Sequence, residues 1–284
     1  MHLQATASRA ATIIAKDPAL FCRLMLAKLN TARRMPPLPV RKYIGNVTFE
    51  FDLEHYRATA PMYFGSYALV LIQAMKRFLK PGDTFIDVGA NIGYLSAIGA
   101  GLVGPRGQVH CFEPVPDYFE RLRKLVQLNP THSIIPNSYG LGEIAGPQKI
   151  YVTREPGQST FVASYKLEPD IVSTLDVSVA RLDSYLLTHN VGKIGLIKID
   201  AEGFELPILK GIQGYFERFS YRPPIICEIA PRAYSLLGRS IQELETFMGD
   251  YGYVVRDPVG GVTPVDLKAI THVEDVLFVA ESPH

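Results

Sequence analysis

Only three cysteines stand in 284 residues, Cys22, Cys111 and Cys227, far apart and odd in number. The short paired spacings of a zinc site or a disulfide framework are missing, and two of the three fall in strand-like segments where a thiol behaves as a small buried hydrophobe. An excess of one charge is missing too, since 29 Lys and Arg face 28 Asp and Glu for a formal net charge of +1. That balance gives no global electrostatic attraction for nucleic acid. No apolar run approaches the roughly eighteen residues of a membrane span, and no secretory signal is recognisable. The reading therefore expects a soluble, cytoplasmic protein without a transmembrane segment or a nucleic-acid partner. Repeats and low-complexity tracts are absent, and 47% hydrophobic with 20% charged residues is ordinary globular composition for one large or two modest domains.

What is present is organised around Gly82–Pro114. Thr84-Phe85-Ile86 and Val88, opened by Pro81-Gly82-Asp83, read as a buried strand with Asp87 near its end. Gly89-Ala90-Asn91-Ile92-Gly93 supplies a sharp turn, and Tyr94–Leu102 continues as a helix of small and apolar residues whose free N–H groups would face a ligand. The dinucleotide fingerprint G-x-G-x-x-G is absent, because Asn91 stands where its middle glycine would be. Asn tolerates the left-handed conformation, so the turn survives. Gln108–Phe112 reads as the second strand, and Glu113 at its end is placed to accept both hydroxyls of a ribose.

Residues 1–44 carry Arg9, Lys16, Arg23, Lys28, Arg33, Arg34, Arg41 and Lys42 against the single acid Asp17. Asp17-Pro18 suits a helix start, and a helix is expected to about Asn30, docked on its own domain or on a second copy of the chain, or touching a membrane surface or an acidic partner. Val47, Phe49, Phe51 and Leu53 alternate with polar residues as a half-buried strand, and Tyr67–Leu79 reads as a helix. Beyond Glu113, the helix Asp117–Leu128 and the strand Ser133–Pro136 extend a βαβα alternation. The loop from Asn137 either meets an adenine base or is structural. Residues 142–181 break the alternation as an antiparallel β insertion. Strands at Ile194–Ile199, Pro224–Ile229, Tyr253–Arg256 and Asp275–Ala280, with helices at Arg181–Thr188, Leu206–Gln213 and Ile241–Met248, complete the chain. The fold expected is α/β: a doubly wound, mostly parallel seven-stranded sheet with an antiparallel last strand, an N-terminal helical and β extension over 1–44, and a domain over 45–284 with its core at 80–280.

Ligands of such sheets sit outside the carboxyl ends of the strands where strand order reverses, which would bring Gly89–Gly93 opposite Asp200–Glu202. The residues there carry alternatives. Asp200, Glu202 and Glu228 could act on an acceptor, or the first two could cap the next helix while Glu228 pairs with Arg232. Lys198 could hold an anion or pair with Asp183 or Glu228. None of the seven histidines falls at this edge.

The order Asp87, Gly89, Asn91, Gly93, Glu113 resembles the S-adenosylmethionine motif of class I methyltransferases. More specifically, FIDVGANIG at 85–93, CFEPVP at 111–116, Ala180-Arg181-Leu182-Asp183, IKIDAEGFELPILKG at 197–211 and IICEIAPRAY at 225–234 resemble the FkbM family of methyltransferases over about 80–280. The resemblance implies S-adenosylmethionine held by Asp87, Gly89, Asn91, Gly93, Glu113 and Asn137. It also implies a hydroxylated small-molecule acceptor such as a sugar, methylated on oxygen; such a transfer must relieve the acceptor of its proton and requires no metal, with Asp200 the preferred base or acceptor-orienting group and Glu202 and Glu228 supporting it. At Gly65-Ser66-Tyr67-Ala68 the chain departs from the family, many of whose members carry an acid after the aromatic. A nicotinamide oxidoreductase is disfavoured by the missing fingerprint, and a non-catalytic binding module by the intact Asp87, Gly89, Glu113 and Asp200.

Overall fold

A computed structural model describes residues 40–51, 56–155 and 157–280 together with Cys22 and Met25. The expected basic helix before Asn30 lies outside the described residues apart from those two. The described residues divide into two units, one holding 40–43 and 49–67, the other 44–48 and 68–280. In the smaller unit the alternation of Phe49 and Phe51 buries both rings against each other edge to face, at 4.9 Å between centroids. Strands β1 (Val40–Ile44) and β2 (Val47–Phe51) pair as a two-stranded sheet, followed by α1 (Tyr56–Tyr63).

The larger unit begins with α2 (Leu69–Phe78), two residues later than the helix expected from Tyr67. Ala68 is the reason: at φ 51 and ψ 37 it is left-handed, which a continuing helix forbids. Then follow β3 (Thr84–Val88), α3 (Tyr94–Val103), β4 (Gln108–Phe112), α4 (Pro116–Leu128) and β5 (Ser133–Asn137). The insertion comprises β6 (Gly140–Leu141), β7 (Gly146–Thr153) and β8 (Ile171–Ala180), a separate sheet of order β6-β8-β7 in which β7 and β8 are antiparallel as expected. The chain returns through α5 (Leu182–Thr188) and β9 (Ile194–Ile199). The single helix expected over Leu206–Gln213 is broken at Gly211-Ile212 into α6 (Glu205–Lys210) and α7 (Gln213–Arg218). The chain ends with β10 (Ile225–Ile229), α8 (Pro231–Leu236), α9 (Ile241–Asp250), β11 (Tyr253–Arg256) and β12 (Glu274–Ala280).

The main sheet has seven strands in the order β11-β12-β10-β9-β3-β4-β5. Strands β3, β4, β5, β9 and β10 are parallel, and the last strand, β12, runs antiparallel to both β10 and β11. All residues of β3 and β9 are buried, as the near-continuous apolar runs of central parallel strands require. Cys111 and Cys227 are buried free thiols in β4 and β10. No helix among the described residues is long and apolar enough to cross a membrane.

Candidate active site

Strand order reverses between β3 and β9, so the loops leaving their carboxyl ends share one crevice. They touch through backbone. Asp200 N donates to Val88 O at 3.2 Å, and a Cβ built on Gly89 would lie 1.8 Å from Asp200 O. Only glycine fits there, and its φ of 71 suits no other residue well. The expected tolerance of Asn91 is used, since it sits left-handed at φ 51.

Glu113 stands at the end of β4 with only 5% of its surface exposed. Its Oε2 accepts Asn91 N at 2.8 Å and its Oε1 accepts Val115 N at 2.9 Å, which fixes the carboxyl while leaving each oxygen a second lone pair. Burial pushes its pKa up to about 7, against the opposing pull of those two N–H groups and of Lys198. Asp87 is fully buried. Its Oδ2 accepts Ser96 Oγ at 2.6 Å and its Oδ1 lies 3.5 Å from Lys198 Nζ. Asn137 donates its amide to Cys111 O and Ile135 O, both at 3.2 Å, and accepts Tyr139 O–H at 3.2 Å, which ties the ends of β4 and β5. Its own carbonyl accepts Glu113 N.

Across the crevice, Asp200, Glu202 and Glu228 each offer a carboxylate oxygen, all within 4.8 Å of one another. Such crowding is relieved by shared protons or by a cation. Burial, reinforced by Asp200, Glu205 and Glu202, pushes the Glu228 pKa well above the carboxylate range, and its Oε2 has no hydrogen-bond partner among the described residues. Glu202 is raised by burial and pulled back by Lys166. Asp275, opposite Glu228 in the β10–β12 pairing, is pushed up to about 6 by burial and by Asp200.

Three alternative pairings fail here. Lys198 reaches Asp87 and Asp200, at 3.5 and 3.4 Å, and donates to Gly89 O at 2.9 Å and Val88 O at 3.3 Å. Asp183, one of its expected partners, is bound by Arg181 instead. Glu228 forms no ion pair with Arg232 among the described residues. The N–H groups of the loop before α6 go to Glu205, whose Oε1 accepts Gly203 N at 2.8 Å and Ala201 N at 3.1 Å, and no side chain, Asp200 and Glu202 included, caps the helix itself. Glu205 is fully buried, and burial pushes its pKa up to about 7.

Within the β insertion no individual residue is assigned a role from the sequence. Gly157 N donates to Tyr118 Oη at 3.3 Å, and a Cβ on Gly157 would meet Asn91 Nδ2 at 2.4 Å, so this loop lies on the Asn91 turn. Thr160 and Lys166 grip Glu202, at 2.7 Å to its carbonyl and 2.8 Å to its carboxylate. No spacing marks these residues, because they act on segments distant in sequence.

Residues 87–255, more than half of the chain, match the sequence profile of the Methyltransferase FkbM domain. The hexuronic acid methyltransferase AglP of Haloferax volcanii is 29% identical over 159 residues, covering 56% of this chain and 61% of that protein. The 31-O-demethyl-FK506 methyltransferase FkbM of Streptomyces tacrolimicus is 29% identical over 161 residues, covering 48% and 61%. The chain thus spans about three fifths of the length of these curated relatives. Among solved structures, Methyltransferase FkbM from Methylobacillus flagellatus aligns with 79% of this chain and 54% of its own, at TM-score 0.43 and 16% identity.

Proposed function

The chain belongs to the FkbM methyltransferase family, and from that premise we propose that it moves a methyl group from S-adenosylmethionine to a hydroxyl oxygen of a small molecule, sugars foremost. The observation that carries the reading is the close approach of Gly89 to Asp200 O, which sets the glycine turn and an acidic cluster on two sides of one crevice. The residues present fit the cofactor. Asn91 Oδ1 is buried without a hydrogen-bond partner among the described residues, and Glu113 keeps spare lone pairs for ribose hydroxyls.

When bound, S-adenosylmethionine supplies an electrophilic methyl group on a sulfonium. This chain's residues do the rest. Asp200, whose side chain is 33% exposed against 18% for Glu202, is open to an acceptor, and it takes the proton of the acceptor hydroxyl. Glu228, whose carboxyl is pushed toward its protonated form by burial and by its acidic neighbours, is less suited than Asp200 to act as the base. Lys198 neutralises Asp87 and steadies Asp200 from the strand beneath. The acceptor class draws support from AglP, named for a hexuronic acid, and from a cluster rich in carboxyl oxygens, which suit a partner bearing several hydroxyls.

Calorimetry with S-adenosylmethionine and with NADH, followed by isotope-labelled methyl transfer onto methyl glycosides of glucuronic acid and glucose and into a metabolite extract, tests this. Cofactor binding and a labelled O-methyl product are expected. Binding of NADH in preference to S-adenosylmethionine would overturn the reading.

A further inference from the structure

Glu202 holds a conformation that its sequence resists. It is left-handed at φ 51, a region that glycine enters freely and a long acidic side chain enters at a cost in energy. It leads into Gly203 at φ 102, where a Cβ would lie 2.3 Å from that of Ala233, so only glycine fits at that position.

Two side chains from a single stretch of the β insertion hold Glu202 in place. Thr160 Oγ1 donates to Glu202 O at 2.7 Å and accepts Val162 N at 3.0 Å, so its hydroxyl is spent in both directions. Thr160 is 1% exposed, and its backbone is fastened to Tyr151 of β7 by bonds of 2.8 and 3.1 Å. Lys166 Nζ donates to Glu202 Oε2 at 2.8 Å, lies 4.9 Å from the Tyr165 ring centroid, and pairs within a setting where the two side chains are only 19% and 18% exposed. An ion pair so sheltered is screened far less than a surface pair.

We propose that Thr160 and Lys166 are positioning residues for methyl transfer: the insertion clamps Glu202 by carbonyl and carboxylate, and through that strained residue fixes Asp200, two positions earlier. The inference rests on Asp200 acting on the acceptor, as argued above. Its physical basis is that a displacement of about 1 Å at a reacting group can cost about a hundredfold in rate, while neither the Thr160 nor the Lys166 side chain bonds to the cofactor turn, where Asn91 donates to Glu113 and Gly89 accepts Lys198.

Thr160→Val keeps the shape and removes the hydroxyl; Thr160→Ser keeps the hydroxyl. Lys166→Met and Lys166→Arg make the same contrast for the charge. With S-adenosylmethionine and methyl glucuronoside as probes, kcat should fall roughly 10- to 100-fold in Thr160→Val and Lys166→Met, while cofactor Kd stays within about twofold and the Ser and Arg variants return near the parent. Hydrogen exchange at the Gly203 amide, which Glu205 accepts, should quicken in the first two variants only. Parent-like kcat in both, or losses that merely follow cofactor affinity, would overturn the proposal. If the parent itself transfers no methyl group to any acceptor, it is the proposed function that fails, and Gly203 exchange still decides: faster exchange in Thr160→Val and Lys166→Met supports the clamp, and unchanged exchange overturns it.

Discussion

Lys198 donates its ammonium to the carbonyl of Gly89 at 2.9 Å, across 109 positions of sequence. The same nitrogen lies 3.5 Å from the fully buried Asp87 and 3.4 Å from Asp200. One cation thus joins the end of β3, its glycine turn and the acidic loop after β9.

Removing that cation should be costly. Lys198→Met leaves Asp87 buried with Ser96 as its remaining hydrogen-bond partner, and breaking a buried pair in this way typically costs about 3–5 kcal/mol. Urea unfolding should show a loss in that range, with part of it recovered in Asp87→Asn/Lys198→Met. A single variant within about 1 kcal/mol of the parent would show that the pair contributes little.

Glu113 links cofactor affinity to pH. Its pKa of about 7 in the free protein means that the ionised form, the better acceptor for ribose hydroxyls, gains population as pH rises through neutrality. S-adenosylmethionine affinity measured by calorimetry should therefore rise between about pH 6 and 8 and then level off. In Glu113→Gln it should be weaker by about 1.5–3 kcal/mol, as for one hydrogen bond to a charged acceptor, and nearly flat with pH. Equal affinity of parent and variant across this range would falsify the assignment.

Asp200 and Glu228 should separate by protonation state. Asp200→Asn cannot take a proton, and turnover is expected to fall about 10²–10⁴-fold with cofactor affinity unchanged. Glu228→Gln imitates a carboxyl pushed toward its protonated form, so its turnover should stay within about tenfold of the parent. Steady-state kinetics of the two folded variants check this, and the reverse pattern would move the base to Glu228.

Glu205 should make the fold less stable as pH rises. Its folded pKa of about 7 lies above the ordinary 4.5, so the folded chain holds a proton that the unfolded chain has released between those values. The stability linked to this proton is fully present below 4.5 and is lost as pH rises through 7. Glu205→Gln retains an oxygen to accept Ala201 N and Gly203 N without titrating. Its melting temperature relative to the parent should rise from pH 4.5 to pH 8, and a constant difference would sink the argument.

The sequence by itself determined the sheet and the cofactor-side turn, because those signals are local. Apolar runs at Thr84–Val88 and Ile194–Ile199 can only be strands buried on both faces, and a left-handed position among glycines is one that Asn91 can fill. The carboxylates Glu113, Asp200 and Glu228 were legible as strand-end or post-strand residues for the same reason. Tertiary structure alone decided what each charge meets. Lys198 reads equally well as a partner of Asp183 or Glu228 until β3 is laid beside β9, and nothing in the spelling of Glu205 says that it, rather than Asp200, takes the loop N–H groups. Thr160 and Lys166 lie 42 and 36 positions before the residue they hold, inside an insertion without a motif. Periodicity encodes which face a residue occupies; which distant group sits across that face is set by how the strands and the insertion pack, and only folding brings those partners together.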